Sequence, residues 1–223
     1  MTTLARVVFL LGALFTIPLF AAEDSVAIAI VYDTSGSMAE KVRGADGQSV
    51  AKYTIASRAL DRIVARLEKF TADTGKKLQV GLFVFSKQSA EAAVPIGPFQ
   101  PAKLREWLKG FTKPEGGTPL GNANAEAARA LLATKASSRH VLVLTDGQNT
   151  LGPPPERTIK EAIDKALKDG NSLFFHFIAF DVNARVFDAI KKQGATVLSA
   201  SDEKELNDRL SFVLEEKILL EKE

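Results

Sequence analysis

Three short stretches carry oxygen-bearing side chains that could converge on a cation. Asp33-Thr34-Ser35-Gly36-Ser37-Met38 sets a carboxylate and two hydroxyls at alternate positions. Gly116-Gly117-Thr118-Pro119-Leu120 offers a hydroxyl, and Thr145-Asp146-Gly147 offers the carboxylate of Asp146. Asp33, Ser35, Ser37, Thr118 and Asp146 then form an all-oxygen set. Hard cations such as Mg²⁺ take such sets in near-octahedral geometry, at about 2.0–2.1 Å, and commonly keep waters. Five groups leave one position open. Hydroxyls are neutral, so the cation stays electrophilic and favours an anion from outside. Four carboxylates would neutralise it instead. Each piece alone also has a common structural use. Ser35 and Ser37 suit a turn, Thr118 suits a helix N-cap ahead of Pro119, and Asp146-Gly147 is an ordinary turn pair. The combination carries the metal reading, and the first stretch supplies most of its specificity.

These residues need elements that bring them together, and the chain alternates strands and helices. Ser25 to Tyr32 is almost wholly apolar, as in a strand buried on both faces. A polar, glycine-bearing stretch follows, from Asp33 to Ala51. Ala56, Leu60, Ile63, Val64 and Leu67 recur at helical spacing up to Thr74-Gly75. Strands are expected over Leu78–Phe85, Val141–Leu144, Ser172–Phe180 and Thr196–Leu198. Ala92–Ile96 reads as a short edge strand that tolerates Pro95. Helices are expected over Pro101–Leu108, Pro119–Thr134, Ile159–Lys168 and Val186–Lys192. A closing helix carries Leu206, Leu210, Val213 and Leu214 on one face. This order predicts an α/β fold: a doubly wound, mainly parallel sheet with helices on both faces. Ligands in such folds bind at the carboxyl ends of the strands, where the strand order reverses. If the first and fourth core strands are neighbours, the three oxygen-bearing stretches meet there.

DTSGSM, GGTPLGNA and VLVLTDG together resemble the metal-ion-dependent adhesion site of von Willebrand factor type A domains. The resemblance covers essentially all of residues 25 to 214. It implies a Rossmann-like domain that binds a divalent cation, Mg²⁺ or Mn²⁺. It also implies Ser35, Ser37 and Thr118 as direct ligands, with Asp33 and Asp146 acting directly or through water. A carboxylate from an Asp or Glu of a partner protein would complete the shell. The implied function is metal-dependent protein binding, in adhesion or assembly, without catalysis. One departure flanks the site: residues 148–155 hold three prolines and no cysteine, where some exported bacterial relatives carry a cysteine pair.

Composition narrows the alternatives. The 223 residues suit one domain with a core that needs no staple. Hydrophobic types make up 46%, and 29 basic against 27 acidic residues give +2. That balance argues against nucleic acid and against disorder. The absence of cysteine excludes thiol catalysis and zinc–thiolate sites. Position 35 is serine, where an aspartate-phosphorylating hydrolase would want a second carboxylate. No G-x-S-x-G elbow or Walker loop occurs. The alternatives are a Mg²⁺-dependent, phosphatase-like enzyme using Asp33, or a structural domain with a vestigial metal site. His176 reads as a buried structural histidine and His140 as near the surface. Asp181 reads as a turn or helix cap, Lys52 and Arg58 as a solvated face, and Glu203–Glu223 as helix surface.

Residues 1–22 read as a secretory signal: Arg6, then an apolar run from Val7 to Ala22. The domain is then residues 23–223, exported to a periplasm or secreted. An uncleaved segment anchoring it to the membrane is the alternative.

Overall fold

The computed structural model describes residues 25–86 and 89–220. The expected signal segment lies outside the described residues. No described helix is long and apolar enough to cross a membrane.

The strands are β1 (Ser25–Tyr32), β2 (Lys41–Arg43), β3 (Ser49–Ala51), β4 (Lys77–Ser86), β5 (Ser89–Pro98), β6 (Ser138–Thr145), β7 (Phe174–Phe180) and β8 (Thr196–Ala200). The helices are α1 (Lys52–Thr74), α2 (Pro101–Gly110), α3 (Leu120–Leu132), α4 (Pro155–Lys168), α5 (Asp188–Lys191) and α6 (Glu203–Phe212). Six strands form one sheet in the order β5-β4-β1-β6-β7-β8. All neighbours are parallel except the β4–β5 pair at one edge. This is the expected doubly wound sheet. The chain fills one side of β1 first and then returns to fill the other. The order therefore reverses between β1 and β6, the two strands followed at once by Asp33 and Asp146.

The two faces of β1 explain how the layers form. Ile28, Ile30 and Tyr32 point into a core shared with α1 and α6 residues such as Leu60, Ile63, Leu206 and Leu210. Ala27, Ala29 and Val31 point into a second core, against Ala123, Ala127 and Ala128 of α3. Small side chains on both surfaces let α3 lie close to β1, and this helix begins two residues after Thr118. Gly121 tightens the same corner. A Cβ there would lie 2.0 Å from the Pro153 carbonyl oxygen, so only glycine fits.

Several local expectations are corrected. The edge strand β5 is longer than the expected Ala92–Ile96, because antiparallel pairing with β4 extends it while Pro95 sits at the sheet edge. The polar stretch after β1 contains the hairpin β2–β3, turned at Asp46-Gly47, with the Asp46 carboxylate accepting from Gln48 N–H at 3.0 Å. His140 is buried rather than near the surface, because β6 lies between β1 and β7. Its Nδ1 lies 3.2 Å from His176 Nε2, and Ser138 Oγ lies 2.7 Å from its Nε2. Glu203 is also buried. Its carboxylate accepts from Ala45 N–H at 3.0 Å and faces Arg58 and Arg62, so α6 is tied to the hairpin.

Candidate metal centre

The carboxyl ends of β1 and β6 are stitched together by backbone. Asp33 N–H donates to the Leu144 carbonyl at 3.0 Å. Beyond β1, the chain turns through a 3-10 segment at Gly36–Ala39. Gly36 N–H donates to the Gly116 carbonyl at 3.0 Å, and Glu115 N–H to the Thr34 carbonyl at 2.9 Å. The first and second oxygen-bearing stretches are thus joined directly. Gly116 has φ +82°, a left-handed conformation that favours glycine. Thr34 leaves the crevice: its Oγ1 donates to the Phe85 carbonyl and accepts from Phe85 N–H, both at 3.1 Å. That bonding explains why only alternate residues of DTSGS face the site.

The hydroxyl protons follow one chain. Ser37 Oγ donates to Asp146 Oδ1 at 2.7 Å. Ser35 Oγ lies 3.1 Å from Ser37 Oγ. Ser37 has spent its only proton on Asp146, so Ser35 is the donor of that pair. Ser35 N–H donates to Asp33 Oδ1 at 2.8 Å, and Thr145 Oγ1 donates to Asp33 Oδ2 at 2.5 Å. Thr118 faces the same crevice. Its Oγ1 and Ser37 Oγ lie 3.5 and 3.9 Å from where a Cβ on Gly147 would stand. Thr118 is not a helix N-cap: α3 begins at Leu120, after Pro119, with no side-chain cap. Backbone bonds to Thr150 hold it instead, with Thr118 N–H donating to Thr150 Oγ1 at 2.8 Å.

Asp33 is fully buried, and burial pushes its carboxyl up to about 6. Hydrogen bonds from Ser35 and Thr145 oppose that rise, while the neighbouring Asp146 charge adds to it. A folded-state value above the unfolded one has a definite consequence. In the metal-free protein, the Asp33 contribution to stability is fully present below about pH 4 and is lost as pH rises through 6.

Lys52 corrects another expectation. It is 3% exposed, not on a solvated face. Its ammonium lies 2.8 Å from Glu40 Oε2, 3.1 Å from Asp146 Oδ2 and 3.0 Å from Asp181 Oδ2. Burial alone pulls the ammonium down. The hydrogen bonds to Glu40, Asp181 and Asp146 outweigh burial and hold it well above the ordinary lysine value. Asp181 follows β7 at φ +53°, a left-handed conformation uncommon outside glycine. Its carboxylate pairs with Lys52 rather than capping a helix. Lys52, Glu40, Asp181 and Thr145 are therefore parts of the site that sequence reasoning did not assign to it. Thr145 alone had a signal, its place in the TDG turn.

The residues fit a hard divalent cation. Asp33, Ser35, Ser37 and Asp146 are linked by hydrogen bonds, Thr118 Oγ1 and Ser37 Oγ both lie beside Gly147, and every candidate ligand atom is oxygen. Among the described residues, no group of three or more His, Asp or Glu side chains is arranged to hold a metal by itself. Hydroxyls would have to supply much of the shell.

The von Willebrand factor type A domain model matches residues 27–211. The chain belongs to this family. Two uncharacterised Bacillus subtilis (strain 168) proteins are similar to this type A domain. YwmC is 30% identical over 176 residues, covering 69% of this chain and 72% of its own. YwmD is 28% identical over 162 residues, covering 70% and 71%. Among solved structures, the PilB minor pilin from Streptococcus sanguinis superposes with a TM-score of 0.64 at 19% identity. That match covers 90% of this chain and 63% of the pilin, so the type A domain here spans less than two thirds of that protein. The vWF domain of the pilus tip protein Mfa5 from Porphyromonas gingivalis gives a TM-score of 0.64 at 14% identity, covering 86% and 95%. At these identities, the structural matches establish the fold.

Proposed function

We propose that this type A domain is an exported, non-catalytic protein-binding module that captures an acidic residue of a partner through Mg²⁺ or Mn²⁺. The observation that carries the reading is the hydrogen-bonded chain Ser35–Ser37–Asp146 at the strand-order reversal, with Thr118 facing it. Ser35, Ser37 and Thr118 would offer hydroxyl lone pairs. Asp146 already takes the Ser37 proton on one oxygen and Ser35 donates to one Ser37 lone pair, which leaves the other lone pair for a cation. Asp33 supplies charge from below and orients Ser35 and Thr145. A bound divalent cation would supply an electrophilic position for a carboxylate oxygen. The pilin and pilus-tip proteins with the same fold are consistent with assembly or adhesion outside the cytoplasm.

Calorimetric titration with Mg²⁺ and Mn²⁺, paired with a phosphate-release assay, tests this reading against the alternatives. Saturable binding of one cation without turnover is expected. Asp33-dependent phosphate release would favour a hydrolase, and no binding would favour a vestigial site.

Cation binding should also depend on pH. A cation favours the ionised form of Asp33, so it must displace the proton that burial retains. With that carboxyl at about 6, affinity should fall about tenfold between pH 7 and pH 5. Titration at both pH values checks this, and equal affinities would disconnect Asp33 from the metal.

Export has its own check. Arg6 and the apolar run to Ala22 predict a mature amino terminus near Glu23. Amino-terminal sequencing of protein from the native host should find it. An intact Met1 in the membrane fraction would support the anchor, and an intact Met1 in soluble cytoplasmic protein would contradict export.

A further inference from the structure

The metal reading leaves the buried Lys52 at the crevice without a role. An ammonium has three protons, and here each has a carboxylate: Glu40, Asp146 and Asp181. The three acids come from different places: the turn after β1, the end of β6 and the end of β7. Lys52 itself is the first residue of α1, and its N–H donates to the Glu40 carbonyl at 2.8 Å. The ammonium is therefore fixed at both backbone and side chain. Asp146 is divided by this arrangement. Oδ2 faces Lys52, and Oδ1 accepts from Ser37. A cation that drew on both oxygens would have to displace the lysine.

We propose that Lys52 is a tethered cation of the metal crevice, competing with the divalent ion for Asp146 and so limiting how tightly that ion is held. The inference rests on the reading of the crevice as a divalent-cation centre. Its physical content is charge. A buried positive group beside the site repels an incoming cation in a medium that screens poorly. It also leaves the filled crevice more positive, which favours a carboxylate from outside. Glu40 and Asp181 restrain the effect by sharing the ammonium. Both are partly open to solvent, at 68% and 41% side-chain exposure, so both can be changed without opening the core.

The test is Mn²⁺ titration of the otherwise intact chain, with folding followed by circular dichroism. Lys52→Gln removes the charge and keeps two of the three N–H donors, on a side chain one atom shorter. It should bind Mn²⁺ about tenfold more tightly than wild type. A merely structural lysine would give the opposite sign, because its loss would loosen Asp146 and weaken binding. Glu40→Gln, at the exposed acid, should weaken Mn²⁺ binding severalfold in the wild-type background. It should weaken it less in the Lys52→Gln background, where no ammonium is released towards Asp146. A folded Lys52→Gln protein that binds Mn²⁺ no more tightly than wild type overturns the inference. If Lys52→Gln does not fold, unchanged binding in Glu40→Gln overturns it. Absence of Mn²⁺ binding in wild type and Lys52→Gln alike overturns both this inference and the metal reading. Binding by Lys52→Gln alone overturns only the metal reading of the wild-type chain and supports the competition.

Discussion

Saturating Mg²⁺ or Mn²⁺ should raise the thermal midpoint of the domain, and Ser35→Ala with Ser37→Ala should abolish the rise. A ligand that binds only the folded state adds about 2.7 kcal/mol at one hundred times its dissociation constant. For a domain of this size, that corresponds to a midpoint shift of about 5–10 °C. The double variant removes two hydroxyls in the Ser35–Ser37–Asp146 chain. The apo fold should survive it. Asp146 Oδ2 keeps its Lys52 partner, Ser35 N–H still reaches Asp33, and the backbone bonds from Gly36 and Asp33 are untouched. Differential scanning calorimetry with and without metal decides the matter. A full metal response in the double variant would place the cation elsewhere.

Thr118→Ala should have the second large effect, this time on partner capture. The substitution removes a hydroxyl without changing charge. The structure makes it a cleaner probe than its sequence position suggests. Thr118 precedes Pro119 and could have been an N-cap, whose loss costs about 1 kcal/mol. It is not one, because α3 starts at Leu120 and the Thr118 backbone is held by Thr150. Stability should therefore change little while partner affinity falls at least tenfold, measured by surface plasmon resonance at fixed Mg²⁺. Chelator should produce no further loss in the variant. Changing one interfacial Asp or Glu of the partner to Asn or Gln should reproduce the effect. Capture at full strength by Thr118→Ala would assign recognition to the flanking loops.

The parts of the site legible in the sequence are those encoded locally. Ser25–Tyr32 reads as a fully buried strand because it is one, and Asp33 follows it at once. The alternate spacing of Asp33, Ser35 and Ser37 survives folding because Thr34 is drawn away to Phe85. Lys52 was illegible for the converse reason. It is one basic residue at a helix start, and its partners lie on three separate turns. Its burial comes from those turns closing over it, and no local periodicity records that. His140 and Glu203 were misjudged in the same way. His140 is covered because β6 is an inner strand, and Glu203 because the β2–β3 hairpin folds onto α6. The hairpin itself is short and half exposed, so its three-residue strands leave little apolar alternation to detect.

Partner capture through a divalent cation should be reversible by chelator. The domain is immobilised, exposed to native extract in Mg²⁺, washed, and eluted with chelator. With metal-bridged capture, a specific partner is released by chelator, is not retained when chelator is present from the start, and returns when Mg²⁺ is restored. Retention of the same partner at the same level in chelator would contradict it.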